Sequence, residues 1–258
     1  MQLSGNTILI TGGGSGIGLG LALEFQKLGN TVLIAGRSQQ KLGEAARLGF
    51  KTYTADMTQA ASREALVKAV LADYPALNGV IHNAGIMKNE NMLKGPTPEI
   101  RKETLETNLV APMHLTEVLL PQLLGQKNSF LMTVTSGLAY SPLAMTPTYS
   151  ATKAAIHSYT QSLRYQLKET GVQVMELVPP YVQTGLMGDR QAHDPNAMPL
   201  NDFIAEVMKI LKSDPQVKEI LVERVLPQRH SADGGPEKHE QFFNQLNDRM
   251  LAARKAEW

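Results

Sequence analysis

Residues 11–18, TGGGSGIG, form a glycine-rich turn between an apolar run and a helical pattern, and this turn constrains the fold more than any other feature. Residues 6–11 are β-branched and aliphatic, whereas residues 17–28 have helical spacing and end at Gly29. A tight turn from strand to helix needs positive φ angles, which glycine adopts without a steric penalty. The combination predicts the first β–α unit of a parallel sheet.

The same alternation of strand and helix continues along the chain. Further strands are predicted at residues 31–35, 51–55, 79–83, 129–136, 172–178 and 219–225. Helices are predicted at residues 39–48, 60–74, 99–124, 149–170 and 201–212, with a kink near Pro112. The strands are continuously apolar, as expected when helices cover both faces of a sheet. We therefore predict an α/β fold, a Rossmann-type doubly wound parallel sheet of about seven strands.

One domain is predicted over residues 1–258, with two distinctive segments near its end. Residues 185–200 are rich in turn-forming residues and long for a connection, which is typical of a lid over a substrate. A disordered surface loop is the alternative for this segment. Residues 236–254 have apolar residues at roughly helical spacing, which predicts a helical tail packed on its own domain or on another subunit.

Charge and cysteine content exclude several classes of function. Lys plus Arg number 25 and Asp plus Glu number 24, so no charge excess favours nucleic acid or an anionic membrane surface. The absence of cysteine excludes disulfides, thiol catalysis and Cys-ligated zinc. The six histidines show no metal-ligand spacing with a carboxylate partner, so no metal site is expected. Without a signal-peptide pattern or a membrane-spanning apolar run, we expect a cytoplasmic protein.

The glycine turn also predicts a ligand. Gly12, Gly16 and Gly18 would let the backbone approach a pyrophosphate at the positive end of the first helix. A flexible turn without a ligand is the alternative. After the second strand, Arg37 and Ser38 stand where NAD-binding sites place an acidic residue. Because a guanidinium suits a 2′-phosphate, we predict NADP(H) in preference to NAD(H).

A candidate reactive group lies between residues 135 and 153. Tyr149 and Lys153 are four residues apart, so a helix places them on one face, and Ser136 precedes them. A phenol beside an ammonium is a plausible acid–base pair, because the positive charge favours phenolate and lowers the pKa of the tyrosine. Packing beside a solvated amine is the alternative.

Five signals occur in family-like order: TGGGSGIG, Asn83-Ala84-Gly85, Asn108, Ser136 and the segment from Tyr149 to Lys153. With them the chain resembles the short-chain dehydrogenase/reductase family, in its single-domain branch, over roughly residues 5–184. Within the family it is most similar to the subgroup named for the oxidoreductase of the D-alanyl-lipoteichoic acid operon. The stretches GNTILITGG, LVPPYVQT and FFNQLN carry that similarity.

The resemblance implies a role for each matching residue. Asn108 would hold a water for proton exchange, and Thr184 would lie near the nicotinamide carboxamide. Asp56 and Met57 would meet the adenine, and residues 83–85 would run along the adenosine ribose. For Asp56 the alternative is a helix N-terminal signal with Thr58. The cofactor-binding residues expected, with Arg37 and Ser38, are Gly12, Ser15, Gly16, Ile17, Gly18, Asp56, Met57, Asn83, Ala84, Gly85, Tyr149, Lys153, Pro179, Val182 and Thr184. Pro180 replaces the family's usual glycine and removes one backbone N–H.

The expected chemistry is hydride transfer between a nicotinamide and a carbonyl carbon, with Ser136 and Tyr149 meeting the carbonyl oxygen. Largely apolar residues form the predicted substrate wall, which favours a hydrophobic ketone or aldehyde. These residues are Leu138, Tyr140, Met145, Tyr181, Leu186 and Met187. The alternatives are a non-catalytic NADP-binding regulator and an epimerase or dehydratase that recycles its nicotinamide. The resemblance also implies a homodimer or homotetramer formed through helices 99–124 and 149–170.

Overall fold

A seven-stranded parallel sheet forms the centre of the computed structural model, which describes residues 1–255. The strands are β1 (Thr7–Thr11), β2 (Thr31–Gly36), β3 (Lys51–Thr54), β4 (Gly79–His82), β5 (Phe130–Val134), β6 (Gln173–Val178) and β7 (Glu219–Leu221). Their order is β3-β2-β1-β4-β5-β6-β7, and every pair is parallel. The predicted doubly wound α/β sheet is therefore confirmed. Residues 256–258 of the predicted domain lie outside the described residues.

Helices cover both faces of this sheet. They are α1 (Gly16–Lys27), α2 (Gln39–Arg47), α3 (Ala60–Asp73), α4 (Pro98–Leu105), α5 (Ala111–Gly125), α6 (Pro147–Gln166), α7 (Asp189–Ala192), α8 (Leu200–Ser213), α9 (Leu226–Arg229) and α10 (Pro236–Ala253). Alternate strand residues face opposite layers. Ile8 and Ile10 of β1 pack in the core layer of α1, α2 and α8, whereas Leu9 packs with α3, α5 and α6.

The strand order reverses between β1 and β4. The chain winds outward from β1 to β3, then returns to the other side of β1 and winds outward again to β7. At such a switch point the loops diverge and leave a crevice outside the carboxyl ends of the strands. The glycine turn follows β1 and Asn83 follows β4, so both predicted motifs lie at this crevice.

The helix predicted over residues 99–124 is divided in two. A π-helical turn, Glu106–Val110, separates α4 from α5, and the Ala111 N–H bonds the Glu106 carbonyl. Pro112 follows this turn and has no N–H to continue the ordinary ladder. The interruption therefore lies just before the proline, and Asn108 lies within the widened turn.

Two predicted strands are shorter than expected. β5 ends at Val134 rather than residue 136, because the Ser136 hydroxyl accepts a hydrogen bond from the Leu138 N–H at 3.1 Å and starts a 3₁₀ turn. β7 ends at Leu221, and the 3₁₀ turn Glu223–Val225 occupies the rest of the predicted strand.

The segment at residues 185–200 contains a 3₁₀ turn, Gly185–Met187, and the one-turn helix α7. A parallel bridge between Val182 and Met198 closes its base. Further along the chain, α10 begins at Pro236, one residue after Gly235. In residues 1–255, none of the helices has both the length and the apolar character that crossing a bilayer requires.

Candidate active site

A cavity of about 400 Å³ opens at the carboxyl edge of the sheet, at the switch point. It extends from Arg37, after β2, to Tyr149 and Lys153 on α6. A larger hollow, about 950 Å³, lies near the amino ends of β5, β6 and β7 and contains none of the predicted site residues. We place the candidate site in the smaller cavity, because ligands of open α/β sheets bind at the carboxyl ends of the strands.

The cavity brings together most of the predicted residues. Those that line it are Gly12, Ser15, Gly16, Ile17, Arg37, Ser38, Asn83, Ala84, Gly85, Ser136, Tyr149, Lys153, Pro179, Val182, Thr184 and Leu186. The predicted residues that do not line it are Gly18, Asp56, Met57, Asn108, Leu138, Tyr140, Met145, Tyr181 and Met187. Sequence reasoning missed several lining residues, including Lys41, Ile86 and Gln191.

The glycine turn has no room for side chains. Gly12 has φ +67°, and an added Cβ would lie 2.8 Å from the Ala84 Cα. A Cβ on Gly18 would lie 2.4 Å from the Asn83 amide nitrogen. That amide donates to the carbonyls of Thr11 and Gly12, at 3.1 Å each. Asn83 therefore holds the turn in shape, a second function beside the ribose contact predicted for it.

The start of α1 faces the cavity with its first N–H groups uncapped by a side chain. Ser15 precedes the helix but makes no side-chain cap bond, and its hydroxyl accepts from the Lys41 ammonium at 3.2 Å. Free N–H groups, the positive end of the helix and a nearby ammonium suit an anion. These features fit the pyrophosphate of a dinucleotide.

At the far end of the cavity, Arg37 is already paired. Its guanidinium donates to Glu103 of α4 at 3.1 Å, and Lys88 bonds the same carboxylate at 2.7 Å. The hydrogen bonds of Lys88 and Arg37 lower the pKa of Glu103. Ser38 accepts from the Lys41 N–H at 3.3 Å and caps α2. Two cationic side chains, Arg37 and Lys41, and the Ser38 hydroxyl thus follow β2 and line the cavity.

Asp56 and Met57, predicted to meet the adenine, lie after β3 and do not line the cavity. Asp56 accepts from both the N–H and the hydroxyl of Thr58, at 3.0 and 2.9 Å. Met57 is buried, and its carbonyl accepts from Arg63 of α3. In this structure both residues hold the turn into α3, the role that the sequence offered as the alternative for Asp56.

Ser136, Tyr149 and Lys153 line the inner end of the cavity together. Ser136 follows β5, whereas the other two lie one turn apart on α6. The Lys153 ammonium is 5.4 Å from the centre of the Tyr149 ring and donates to the Val134 carbonyl at 2.8 Å. All three side chains are buried.

The predicted lowering of the Tyr149 pKa is wrong for this structure. Burial raises the pKa of Tyr149 to about 12, although a hydrogen bond with Ser136 lowers it. Burial also lowers the pKa of Lys153 to about 8. Desolvation disfavours the charged form of each group. Near neutral pH the phenol is therefore protonated.

Three hydrogen bonds hold the Asn108 side chain. Its amide oxygen accepts from the Ile86 N–H at 2.9 Å, and its amide nitrogen donates to the Ile86 carbonyl at 2.9 Å. The same nitrogen also donates to the Thr152 hydroxyl at 3.3 Å. Asn108 thus ties the segment that follows β4 to the helix that carries Tyr149.

Much of the predicted substrate wall is turned away from the cavity. Met145 is fully buried, and the Tyr140 hydroxyl lies 3.2 Å from Nδ1 of His157. Tyr181 donates to Asp194 at 3.0 Å. Leu138 is partly buried on the 3₁₀ turn Gly137–Ala139, and Met187 donates its N–H to the side chain of Gln191. Leu186 alone among the six lines the cavity.

A buried charged network lies behind Ser136. Glu176 of β6 is fully buried and accepts from the Thr135 hydroxyl at 2.7 Å. His157 lies 2.8 Å from the same carboxylate, so the histidine does have a carboxylate partner that sequence spacing did not predict. The ligand atoms of His157, Glu176 and Glu219 lie within 4.8 Å of one another, a grouping that could hold a metal ion. Arg229 already neutralises Glu219 at 2.8 Å, which disfavours a metal there.

Sequence comparisons show which known proteins this chain is similar to. Residues 6–195 match the family described as short chain dehydrogenase. The chain is 40% identical over 254 residues to the uncharacterized oxidoreductase DltE of Bacillus subtilis, covering 96% of this chain and 98% of that protein.

Solved structures resemble it as well. A 3-ketoacyl-(acyl-carrier-protein) reductase from Brucella melitensis, complexed with NADH, superposes with a TM-score of 0.74 at 26% identity, over 84% of this chain and 94% of that one. A short-chain dehydrogenase from Sphingobium yanoikuyae, in complex with NADPH, shares the fold with a TM-score of 0.76 at 24% identity, over 89% of this chain and 92% of that one. The chain therefore belongs to the short-chain dehydrogenase/reductase family of oxidoreductases, in the subgroup of DltE.

Proposed function

We propose that this protein is an NADP(H)-dependent carbonyl reductase that also acts, in reverse, as an alcohol dehydrogenase. One observation carries the proposal: Ser136, Tyr149 and Lys153 meet at the inner end of the cavity whose middle is the glycine turn. The predicted substrate is a largely apolar ketone or aldehyde.

The glycine turn and the start of α1 would hold the pyrophosphate, and Pro179, Val182 and Thr184 would lie along the nicotinamide. The bound nicotinamide supplies or accepts the hydride. Asn83 keeps the turn open, because its amide bonds the Thr11 and Gly12 carbonyls. The absent N–H at Pro180 leaves the other backbone groups of residues 179–184 to make these contacts.

In the reductive direction, Tyr149 donates the proton to the carbonyl oxygen. Ser136 donates a hydrogen bond to that oxygen and orients it. Lys153, while charged, stabilises the phenolate that remains after proton transfer. The raised pKa of Tyr149 keeps the proton on the phenol near neutrality, which is the form that the reductive direction requires. Asn108 fixes α6 against the strand end and, as a further proposal, holds a water for proton exchange.

The preference for NADP(H) rests on the positive charge beyond β2. Arg37 and Lys41 both line the cavity, and the Ser38 hydroxyl stands between them in sequence. A 2′-phosphate would replace Glu103 as the partner of Arg37. A guanidinium and an ammonium bind a phosphate more strongly than a hydroxyl, since both bonds are charge-assisted.

Two structural proposals accompany this function. Residues 185–200 act as a lid, because Leu186 lies on the cavity and the segment joins the rest of the molecule through few regular hydrogen bonds. The subunits associate as a dimer or tetramer through α5 and α6. Both helices present exposed residues on their outer faces, including Leu124 and Tyr165.

Replacing Tyr149 by phenylalanine tests the proposal. With NADPH and an apolar carbonyl such as benzaldehyde, we expect Tyr149→Phe to reduce turnover by about 10²–10⁴-fold, since the proton donor is lost. NADPH affinity, measured by fluorescence titration, should stay within about twofold.

Tyr165→Phe is the matched control, because Tyr165 lies on the same helix and is 70% exposed. It should retain wild-type turnover. If Tyr149→Phe keeps wild-type turnover, the proton donor is another group. If the wild type binds NADPH but reduces none of a broad panel of ketones and aldehydes, the protein is a cofactor-binding regulator, or an epimerase or dehydratase that recycles its nicotinamide.

A further inference from the structure

Glu176 is a fully buried carboxylate on β6 that does not line the cavity of the candidate site. Burying such a charge is costly unless hydrogen bonds or an ionic partner compensate for the lost water. One carboxylate oxygen accepts from the Thr135 hydroxyl at 2.7 Å. The two oxygens lie 2.9 and 2.8 Å from Nδ1 of His157, which must donate because a carboxylate only accepts. Donors from two different elements, the end of β5 and α6, therefore hold Glu176.

A third element brings Tyr140 to the same carboxylate. This residue ends the 3₁₀ turn Gly137–Ala139, which follows Ser136. Burial raises the pKa of Tyr140, and the negative charge of Glu176 raises it further. The Tyr140 hydroxyl lies 3.2 Å from Nδ1 of His157, and the two rings meet edge to face with their centres 4.8 Å apart. The turn after Ser136 is thus part of the same cluster.

The other carboxylate of this cluster, Glu219, has its own cation. Arg229 donates to its two oxygens at 2.8 and 3.4 Å. The same guanidinium lies 4.8 Å from the centre of the Tyr140 ring. Arg229 therefore serves Glu219, and the hydrogen bonds to Glu176 come from the elements that carry the reactive residues.

The partners of Glu176 lie close in sequence to those reactive residues. Thr135 immediately precedes Ser136. His157 follows Lys153 by four residues, so one turn of α6 places both on one face. One buried carboxylate therefore joins the end of β5 to α6.

This connection bears on the two groups that would meet the carbonyl oxygen. Burial raises the pKa of Tyr149, whereas its hydrogen bond with Ser136 lowers it. That bond joins β5 to α6, so it forms only while the two elements keep their relative position. We propose that Glu176 is a positioning residue that holds Ser136 against Tyr149. This inference rests on the proposed function.

The experiment replaces Glu176 by methionine. Methionine has a similar volume, and exchanging a buried charge for an apolar side chain of that size usually preserves stability. We therefore expect Glu176→Met to keep the wild-type midpoint of urea unfolding. Its kcat for benzaldehyde should fall about 10–100-fold, because Ser136 and Tyr149 lose their alignment. The Kd for NADPH should stay within about twofold.

Thr133→Val is the matched control. Thr133 is buried two residues before Thr135 on the same face of β5, and its hydroxyl lies 2.8 Å from that of Thr160 on α6. The variant removes a buried hydrogen bond between the same two elements without touching Glu176. Its kcat should match that of the wild type.

Two further variants identify the interaction responsible. Glu176→Gln keeps an oxygen that accepts from Thr135, so its kcat should stay within about threefold of the wild type. Thr135→Val removes the hydroxyl that donates to Glu176, and it should lose kcat as Glu176→Met does. If Glu176→Met fails to fold, Thr135→Val carries the comparison with Thr133→Val.

A spectroscopic measurement reports on Tyr149 without any turnover. The chain has seven tyrosines, so tyrosine labelled with ¹³C at Cζ gives a simple spectrum, and Tyr149→Phe identifies the Tyr149 signal. In Glu176→Met this signal should move to its position in Ser136→Ala, because both variants lose the bond between Ser136 and the phenol. Thr133→Val should leave the signal in place.

A wild-type kcat or an unmoved Tyr149 signal in Glu176→Met would overturn the inference. Equal losses of kcat in Glu176→Gln and Glu176→Met would also overturn it, since the charge and not the hydrogen bond would then matter. The same holds if Thr133→Val loses as much kcat, because any contact between β5 and α6 would then suffice. If the wild type reduces no carbonyl, the proposed function fails separately, and the Tyr149 signal decides whether Glu176 positions Ser136.

Discussion

Lys153 has a proposed role in the reaction that would come at the expense of stability. It is buried against the Val134 carbonyl, and its pKa is lowered to about 8 from an ordinary 10.5. A buried ammonium without a carboxylate partner destabilises the fold whenever it is charged. A position kept charged under such conditions is typical of a functional site.

We expect Lys153→Met to raise the free energy of unfolding of the cofactor-free protein by roughly 1–3 kcal/mol at pH 7, while abolishing carbonyl reduction. The unfolded chain binds the proton more tightly, so wild-type stability rises between about pH 8 and 10.5, where the folded lysine alone is neutral. The advantage of the variant should therefore shrink across this window and vanish above it. Urea unfolding at several pH values measures this, and an advantage independent of pH contradicts it.

Arg37 is the residue that we propose selects between the two cofactors. Arg37→Asp replaces a phosphate partner by a carboxylate, so the ratio of NADPH to NADH affinity should fall by at least about tenfold. Titration with each cofactor measures the ratio.

Lys88→Met provides the control, because Lys88 also pairs with Glu103 but does not line the cavity. The ratio of NADPH to NADH affinity in Lys88→Met should match that of the wild type. A wild-type preference for NADH would contradict the assignment of Arg37.

Among the elements, α2 contains a glycine whose substitution tests the effect of backbone conformational entropy on stability. This test does not involve the candidate active site. Gly43 lies inside this helix, exposed, with open space around the position of a Cβ. We expect Gly43→Ala to increase the free energy of unfolding by about 0.5–1 kcal/mol, because alanine restricts the unfolded chain.

Gly29→Ala is the opposing case. Gly29 follows α1 with φ +80°, a conformation that alanine adopts only under strain. The denaturation midpoint of Gly29→Ala should fall below that of the wild type, whereas the midpoint of Gly43→Ala should rise above it. Equal midpoints would mean that the φ angle at Gly29 does not matter for stability.

The elements that sequence predicted best are those whose signals are local. The glycine turn, the apolar strands and the Tyr149–Lys153 spacing depend on neighbours within a few residues, and all appear as expected in the fold. The pKa of Tyr149 was predicted with the wrong sign, because burial is a property of the folded chain. The contact of Asn247 with Ala144 spans 103 residues, and no local pattern reveals it.

At the scale of the whole molecule, the proposed association would use the outer face of α6. Four small residues, Ala151, Ala154, Ser158 and Ser162, are exposed along it, and Tyr165 continues the row. Small side chains permit close approach of another helix, whereas Tyr149 and Lys153 of α6 are buried on the side of the candidate site.

Sedimentation should find a dimer or tetramer, and Ala154→Arg should shift the protein toward smaller species. Ala61→Arg is the control, since Ala61 is exposed on α3, away from this face. It should sediment like the wild type. A wild-type monomer would contradict the proposed association.

The switch in strand order has a consequence for the way ligand binding and folding are linked. β1 pairs with β4 across about 70 residues of sequence, as in the pairing of Ile8 with Gly79. The cavity takes the glycine turn from the first half of the sheet and Ser136 from the second. A dinucleotide lying there joins the two halves, so at a hundredfold excess over Kd it adds about 2.7 kcal/mol to the stability of the junction. Separated halves would each lose one wall of the cavity, and only their reassembled complex would bind the dinucleotide.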